Sequence, residues 1–196
     1  ERIECQFARV GRFVGAHRPG DYDAMARDME ARKRDIGLDA DMVPQSQMQQ
    51  AIGSHAYFGG RIIHSDANLH PAQLHQGLLE RATNAGAIVA PQTPVSAVRR
   101  DGARFQVITS RGTIGAGRVV IATNGYTDGV STWLRRRLIP IQSQIIATAP
   151  LPRETIERLV PRSRQLGDTR KLHNYYRTSP DGTRILFGGG GGGNGL

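Results

Sequence analysis

The sequence predicts a mixed α/β fold, α+β overall, and three patterns support this prediction. Val119 to Ala122 is a continuous apolar run of the kind found in buried parallel strands. Apolar residues after Pro71 recur at helical spacing, which is typical of an amphipathic helix. Several further segments alternate polar and apolar residues, as antiparallel strands with one exposed face do. Helices and two kinds of strand are therefore expected in this chain.

Two helices are predicted near the N-terminus, after a first strand that runs from Ile3 to Val14. An amphipathic helix is expected from Tyr22 to Arg34. Gly37 suits its C-terminal end because glycine adopts the left-handed conformation at little cost. A short second helix is expected over 44–51, with Pro44 at its entry, where a missing N–H costs nothing.

The clearest helix begins at Pro71 and ends at Gly86, and its apolar face consists of Leu74, Leu78, Ala82 and Ala85. The Asp101-Gly102 pair predicts a hairpin turn between two strands. A further helix is expected over 153–159. The remaining strands are expected over 88–91, 93–98, 105–109, 112–114, 138–149, 174–177 and 184–187.

The loop after the apolar run is the first candidate binding segment. It contains Ala122, Thr123, Asn124 and Gly125. Proteins with α/β folds bind ligands at the carboxyl ends of parallel strands, and a glycine lets the backbone come close to a nucleotide. The alternative interpretation is an ordinary strand followed by a turn.

The formal net charge of +9 raises the question of a nucleic-acid partner, which we do not predict. Almost all the cations are arginines spread along the chain, with Lys33 and Lys171 as the two lysines. The one dense cluster, Arg135 to Arg137, has no interleaved aromatic residues on which bases would stack. An arginine-rich nucleic-acid-binding protein remains the alternative.

Other classes of protein are disfavoured by what the sequence lacks. No apolar run approaches the roughly 18 residues of a membrane-spanning helix, and no signal peptide opens the chain. The single cysteine, Cys5, allows no internal disulfide and suits a reducing cytoplasm. His70 and His75 are five positions apart, so they do not form the i, i+4 pair of a helical metal site. We expect a cytoplasmic protein without a bound metal.

Four segments in this order resemble one enzyme family. They are Gly53 to Gly60, His70 to Tyr126, Leu138 to Thr148 and Tyr175 to Gly189. Together they resemble the FAD-dependent amine and amino-acid oxidases of the D-amino-acid oxidase, glycine oxidase and sarcosine oxidase superfamily. The likeness is greatest to the bacterial gamma-glutamylputrescine oxidase type, and it covers nearly the whole chain up to Gly189.

The resemblance implies a partial FAD-binding, Rossmann-like domain and a substrate domain built on an antiparallel sheet. Residues 65–137 would belong to the FAD-binding domain. Residues 1–64 and 138–188 would form the substrate domain, and 189–196 would be a glycine-rich tail. The implied activity is oxidation of a C–N bond in a small amine or amino acid, by hydride transfer to the flavin, with hydrolysis of the imine and oxygen as the acceptor.

The resemblance also implies binding residues, although it assigns no catalytic residue. The backbone of Val95 would face the adenine, and the 122–125 loop would line the ribose and pyrophosphate. Tyr176 and Arg177 are the candidates for substrate binding, and because strand residues alternate, one of the two would face the pocket. Arg177 could pair with a substrate carboxylate. The alternatives are core packing for Val95 and an exposed strand arginine for Arg177.

The sequence departs from the family pattern at both ends. It does not open with the strand and Gly-x-Gly-x-x-Gly turn that bind the FAD pyrophosphate in this family. Near its end, in the glycine run Gly188 to Gly193, Gly188 and Gly189 still match the family motif, but Gly190 to Gly193 replaces the arginine that commonly comes next and its neighbours. A flexible tail, side chains left unassigned, or a phosphate-binding loop could explain the glycines. We expect a fragment or a subunit that needs further segments or a partner chain, with a non-catalytic binding module as the alternative.

Overall fold

The computed structural model describes residues 3–127 and 129–190, and these form two compact units. The first unit combines Glu1–Arg81 with Ser143–Leu196, and the second is Ala82–Gln142. The predicted mixed α/β fold is confirmed, and its strands form a seven-stranded and a three-stranded sheet.

The first unit is built on a seven-stranded sheet with strand order β2-β3-β1-β8-β9-β10-β7. Strands β1 and β8 are parallel, whereas the other neighbouring pairs are antiparallel. The sheet is therefore mixed and not purely antiparallel. Its strands are β1 (Arg12–Gly15), β2 (Ala40–Val43), β3 (Gly60–Ile63), β7 (Ser143–Ala147), β8 (Gln165–Asp168), β9 (Asn174–Thr178) and β10 (Ile185–Gly190).

The second unit contains a three-stranded antiparallel meander and little other regular structure. Gly102 adopts a φ of 58° in the predicted hairpin turn, which a side chain would disfavour. Its strands are β4 (Val95–Asp101), β5 (Arg104–Thr109) and β6 (Gly112–Ala116).

The five α-helices among the described residues are α1 (Pro19–Ile36), α2 (Met48–Ile52), α3 (Pro71–Asn84), α4 (Thr132–Arg135) and α5 (Arg153–Leu159).

The two faces of the large sheet are covered differently because strand residues alternate between them. Ile62 packs into the larger core, whereas Ile63 packs with Met29 of α1 on the opposite face. The larger core fills the face covered by α2 and the segment after α5. It consists of Phe13, Val43, Met48, Ile52, Tyr57, Ile62, Val160 and Leu166.

Two glycines allow the aromatic residues of this core to lie close to the sheet. Gly15 of β1 faces Gly60 of β3 across the strand pair. A Cβ added at Gly60 would lie 2.3 Å from Cζ of Phe13, and one added at Gly15 would lie 2.5 Å from Cγ of Tyr57. The rings therefore occupy space that side chains at these positions would fill.

The predicted strand over Val119 to Ala122 is absent from the structure, and this prediction was wrong. These residues have no regular secondary structure, and the side chain of Val120 is 87% exposed. A buried parallel strand needs parallel neighbours on both sides. The described strands of the second unit form only the antiparallel meander, so the apolar run has no sheet to join.

Other predictions differ from the structure in extent. No strand forms over 88–91, and the strands expected over 138–149 and from Ile3 shrink to β7 and β1. Gly189 and Gly190 of the expected tail belong to β10, while residues 191–196 lie outside the described part of the chain. Helix α3, helix α5 and the left-handed end of α1 at Gly37 are confirmed.

Candidate functional site

A cavity of about 630 Å³ lies over the face of the large sheet opposite the main core. Its floor is formed by β1, β8, β9, β10 and β7, and every part of its lining belongs to the first unit. The size is within the range of roughly 300–1,000 Å³ typical of small-molecule sites. This cavity is the candidate substrate site.

The cavity floor contains two rows of residues that are neighbours across the sheet. The aromatic row crosses five strands and places a tyrosine between glycines. The charged row runs beside it and includes two arginines. The aromatic row is Val14, Gly167, Tyr175, Gly188 and Ile145, and the charged row is Arg12, Gln165, Arg177 and Leu186.

Three arginines line the cavity, and two of them are paired with carboxylates. Arg12 Nε lies 2.9 Å from Oδ2 of Asp66. Arg61 Nη1 donates to Oδ2 of Asp28 at 2.7 Å, and this bond is the main reason that the pKa of Asp28 is lowered. Arg12 and Arg61 therefore each have a carboxylate partner within the protein, and Arg61 shares Asp28 with Arg32.

Arg177 is the third arginine, and it has no carboxylate partner within the described residues. Its Nη1 donates to the backbone oxygen of Leu69 at 2.8 Å, which fixes the side chain beside the cavity. A guanidinium has five N–H donors, so the remaining ones are available to a ligand. Arg177 therefore offers an anionic ligand in the cavity a positive charge that no carboxylate of the described residues balances.

Tyr176, the other predicted substrate-binding residue, has its ring on the opposite face of β9. The ring stacks on Phe187 with 5.7 Å between centroids and packs against the main core. Tyr176 borders the cavity, but its ring packs against the main core, and this burial raises the pKa of its hydroxyl. The alternation of strand residues thus places Arg177, and not the ring of Tyr176, on the open cavity face.

A buried carboxylate next to the cavity was not predicted from the sequence. The side chain of Asp168, at the end of β8, is fully buried and forms an ion pair with Arg170. Its oxygens also accept from the backbone N–H of Asn174 at 3.1 Å and from Oη of Tyr57 at 3.4 Å. These bonds join β8, the turn into β9 and the 54–58 loop. Strand β8 carries no recognisable pattern, so the sequence offered no signal for this group.

The residues predicted to contact FAD lie in the second unit. Val95 begins β4, which has β5 as its strand partner on one side and no strand on the other among the described residues. Residues 122–125 are exposed, and Asn124 adopts a φ of 51°. The Oγ1 atoms of Thr123 and Thr127 lie 2.7 Å apart and close this loop.

Neither a metal site nor a membrane helix is found in the described part of the chain. No group of three or more histidine, cysteine, aspartate and glutamate side chains there could bind a metal ion. None of the described helices combines the length and apolar character needed to cross a bilayer.

Comparisons with known proteins agree with this architecture. A probable oxidoreductase, OrdL, of Haemophilus influenzae is 27% identical over 190 residues, which cover 95% of this chain and 44% of that protein. Gamma-glutamylputrescine oxidoreductase of Escherichia coli is 26% identical over 190 residues, covering 96% of this chain and 44% of the relative. The chain thus spans less than half the length of these two relatives.

A solved structure and a family profile complete the comparison. Glycine oxidase from Geobacillus kaustophilus superimposes with a TM-score of 0.71 at 21% identity, over 95% of this chain and 49% of that one. This likeness shows that the fold is shared. The profile of the FAD dependent oxidoreductase (DAO) family matches residues 1–195. The resemblance predicted from the sequence is therefore confirmed, and the chain belongs to the family of FAD-dependent oxidoreductases.

Proposed function

We propose that this chain carries the substrate-binding part of an oxidoreductase that oxidises a C–N bond in a small amine or amino acid bearing a carboxylate. The observation that carries the proposal is Arg177, which lines the large cavity without a carboxylate partner in the described residues. Glycine oxidase and gamma-glutamylputrescine oxidoreductase, whose names denote amine chemistry, are among the similar proteins.

The proposed role of Arg177 is to bind and orient the substrate. Two parallel N–H···O bonds to one carboxylate fix both position and direction, and each charge-assisted bond contributes roughly 1.5–3 kcal/mol when shielded from water. The bond to Leu69 prevents the guanidinium from turning away. In an α-amino acid, the carbon that bears the amine would then lie one bond from the carboxylate, at a defined place above the sheet.

The loop residues fit part of the family's cofactor, FAD. The 122–125 segment offers a hydroxyl, a carboxamide and a glycine without Cβ on an exposed turn, and these groups suit ribose and phosphate oxygens. Ala122, Thr123, Asn124 and Gly125 would bind that region, and the backbone of Val95 would bind the adenine. When bound, FAD supplies the acceptor for the hydride. With oxygen as the final acceptor, imine release and hydrolysis would complete the reaction.

The two units would therefore have different binding roles. The unit of Glu1–Arg81 and Ser143–Leu196 would bind the substrate, and Ala82–Gln142 would contribute to the FAD-binding part. The sequence-based partition, which places residues 65–137 on the FAD side, remains a prediction, and its bounds differ from those of the units at 65–81 and 138–142. We propose a small molecule as the ligand, and neither nucleic acid nor a membrane as a partner. The cytoplasm remains the expected location.

The role of Arg177 is tested by titrating the chain with propanoate, a simple carboxylate. Replacement by methionine keeps much of the length of the side chain but removes its charge. We expect Arg177→Met to weaken propanoate binding by about tenfold or more in isothermal titration calorimetry, because a bond to a charged group is lost. Arg153→Met is the matched control, since Arg153 is 91% exposed on α5 and pairs with Glu157. Equal affinity of the wild-type and Arg177→Met chains would overturn the proposal.

A further inference from the structure

The ring of Tyr175 lies flat against the backbone of the neighbouring strand. Gly188 of β10 is the cross-strand partner of Tyr175. A Cβ added at Gly188 would lie 2.3 Å from Cε2 and 2.4 Å from Cζ of the ring, so no other residue leaves room for the ring in this position. Gly188 thus provides the place that the aromatic side chain occupies.

The hydroxyl group and one edge of the ring are fixed as well. Oη of Tyr175 lies 2.5 Å from Oγ of Ser143 in β7. Ser143 Oγ in turn donates to the backbone oxygen of Gly189 at 3.4 Å, so Tyr175 is the donor to Ser143 in this chain of bonds. The ring of His173 lies 5.8 Å from the ring of Tyr175. A side chain with contacts on three sides has little freedom to leave the cavity surface.

The other neighbour of Tyr175 in the aromatic row leaves open space. Gly167 faces Tyr175 from β8, and a Cβ added there would meet one atom, the backbone oxygen of Asn174, at 3.5 Å. The ring therefore covers the β10 side of the row, while the β8 side remains a shallow groove floored by glycine. One side of this groove is a flat aromatic surface.

This groove begins directly beside the proposed carboxylate site. Tyr175 and Arg177 lie on the same face of β9, about 6.6 Å apart along the strand. An acid whose carboxylate binds Arg177 would extend its carbon chain along the groove and against the ring. Val14 borders this groove on the β1 side, and Ile145 lies in the same row beyond the ring, so both ends of the row are apolar.

We propose that Tyr175 is a specificity-determining residue, whose ring is held by Gly188 and Ser143 and favours substrates with a flat, apolar side chain. This inference rests on the proposed function, because it takes Arg177 as the carboxylate site. An aromatic group that packs on the ring gains a stacking contribution that a methyl group lacks. The preferred substrate is accordingly an amino acid, or another amine that bears a carboxylate, with an aromatic or similarly flat apolar group.

The experiment compares phenylacetate with acetate as probes of the purified chain, by isothermal titration calorimetry. We expect wild type to bind phenylacetate more tightly than acetate, and Tyr175→Leu to reduce that ratio of affinities by about fivefold, because the stacking contribution acts on the phenyl group. Tyr175→Leu retains apolar volume, so folding is preserved, as circular dichroism would verify. Gly188→Ala displaces the ring and should reduce the ratio in the same way.

Gly20→Ala is the matched control for Gly188→Ala, because a Cβ at Gly20 would meet nothing within 4 Å. If the ratio of the two affinities is the same in wild type, Tyr175→Leu and Gly188→Ala, the role of Tyr175 is refuted. If Arg177→Met leaves both probes bound as tightly as in wild type, the proposed function fails instead. The two failures are therefore distinguishable.

Discussion

At the scale of single residues, pairing decides which of the cavity arginines is available to a ligand. Arg12 and Arg61 have aspartate partners at 2.9 and 2.7 Å, and a further anion would compete with those partners. Arg177 has a backbone oxygen as its partner, and a neutral carbonyl leaves the positive charge unbalanced. We therefore expect substitution of Arg177 to weaken binding of an anionic ligand more than substitution of Arg12 or Arg61.

The buried Tyr176 beside this site makes the folded protein lose stability at alkaline pH. Burial raises the pKa of Tyr176 in the folded protein, whereas a tyrosine in the unfolded chain titrates near pH 10. A raised folded pKa contributes stability that is fully present below pH 10. That contribution is lost as the pH rises further, because the unfolded chain releases the proton first.

We expect the free energy of unfolding, measured with urea, to fall between pH 10 and 11.5 and to fall less steeply in Tyr176→Phe. Part of the loss should remain, because burial also raises the pKa of Tyr57. Tyr126→Phe is the control, since Tyr126 is 91% exposed. A steeper loss in Tyr176→Phe than in wild type would contradict this explanation.

Residue roles were only partly predictable from the sequence. The alternation of β9 predicted that Tyr176 and Arg177 would face opposite sides, because a strand period of two depends on the backbone alone. The buried Asp168 could not be predicted, since its partners are Arg170 two positions away, Asn174 at the start of β9, and Tyr57, which is 111 positions distant. Such convergence depends on the tertiary fold.

At the scale of secondary-structure elements, the pair of glycines between β1 and β3 sets how closely the aromatic core approaches the sheet. Gly60 is buried, and a Cβ there would meet both the ring of Phe13 and the backbone oxygen of Val14, at 2.3 and 2.5 Å. The backbone oxygen cannot move without disturbing β1. Strand β1 also pairs with β8, so the disturbance would reach the cavity floor.

We expect Gly60→Ala to reduce the free energy of unfolding by about 1–3 kcal/mol, the usual cost of overpacking a core. Chemical denaturation followed by far-ultraviolet circular dichroism would measure this loss of stability. Gly20→Ala, in the first turn of α1 with open space around it, should be neutral or slightly stabilising. Equal stability of Gly60→Ala and wild type would show that the core tolerates the extra methyl group.

Elements with local end signals were predicted well, and elements that depend on distant partners were not. Helix α3 begins at Pro71 and α1 ends before a left-handed Gly37, as expected from the preferences of proline and glycine. The run at Val119 has the composition of a strand but forms none, because strand formation requires a partner. Strand β8 has a weak pattern yet forms, because β1 and β9 pair with it.

At the scale of the whole molecule, the two units differ in how many of their side chains are buried. The described residues of Ala82–Gln142 include none that is buried, and several large apolar side chains there are mostly exposed, among them Ile88, Val120, Ile139 and Ile141. The main core lies entirely in the other unit. A small unit without a buried core gains little of the stability that burial provides.

For this reason we expect the 196-residue chain to bind FAD weakly and to show no oxidase turnover by itself. The 122–125 loop is exposed, and in the described residues it leads into a single turn of 3-10 helix and not into an α-helix whose N-terminus could bind phosphate. Gel filtration of the chain with added FAD, followed by a visible spectrum, measures this. A stoichiometric yellow complex with turnover would refute the expectation.

The measurement that tests the central claim most directly is an NMR titration of the ¹⁵N-labelled chain with propanoate, followed at the arginine Nε–H signals. Assignment uses the Arg177→Met variant, in which one signal disappears. The proposed site predicts that the Arg177 signal shifts with saturation, whereas those of the paired Arg12 and Arg61 move little. A titration that leaves the Arg177 signal in place, or that shifts only arginines outside the cavity, would contradict the claim that Arg177 binds the substrate carboxylate.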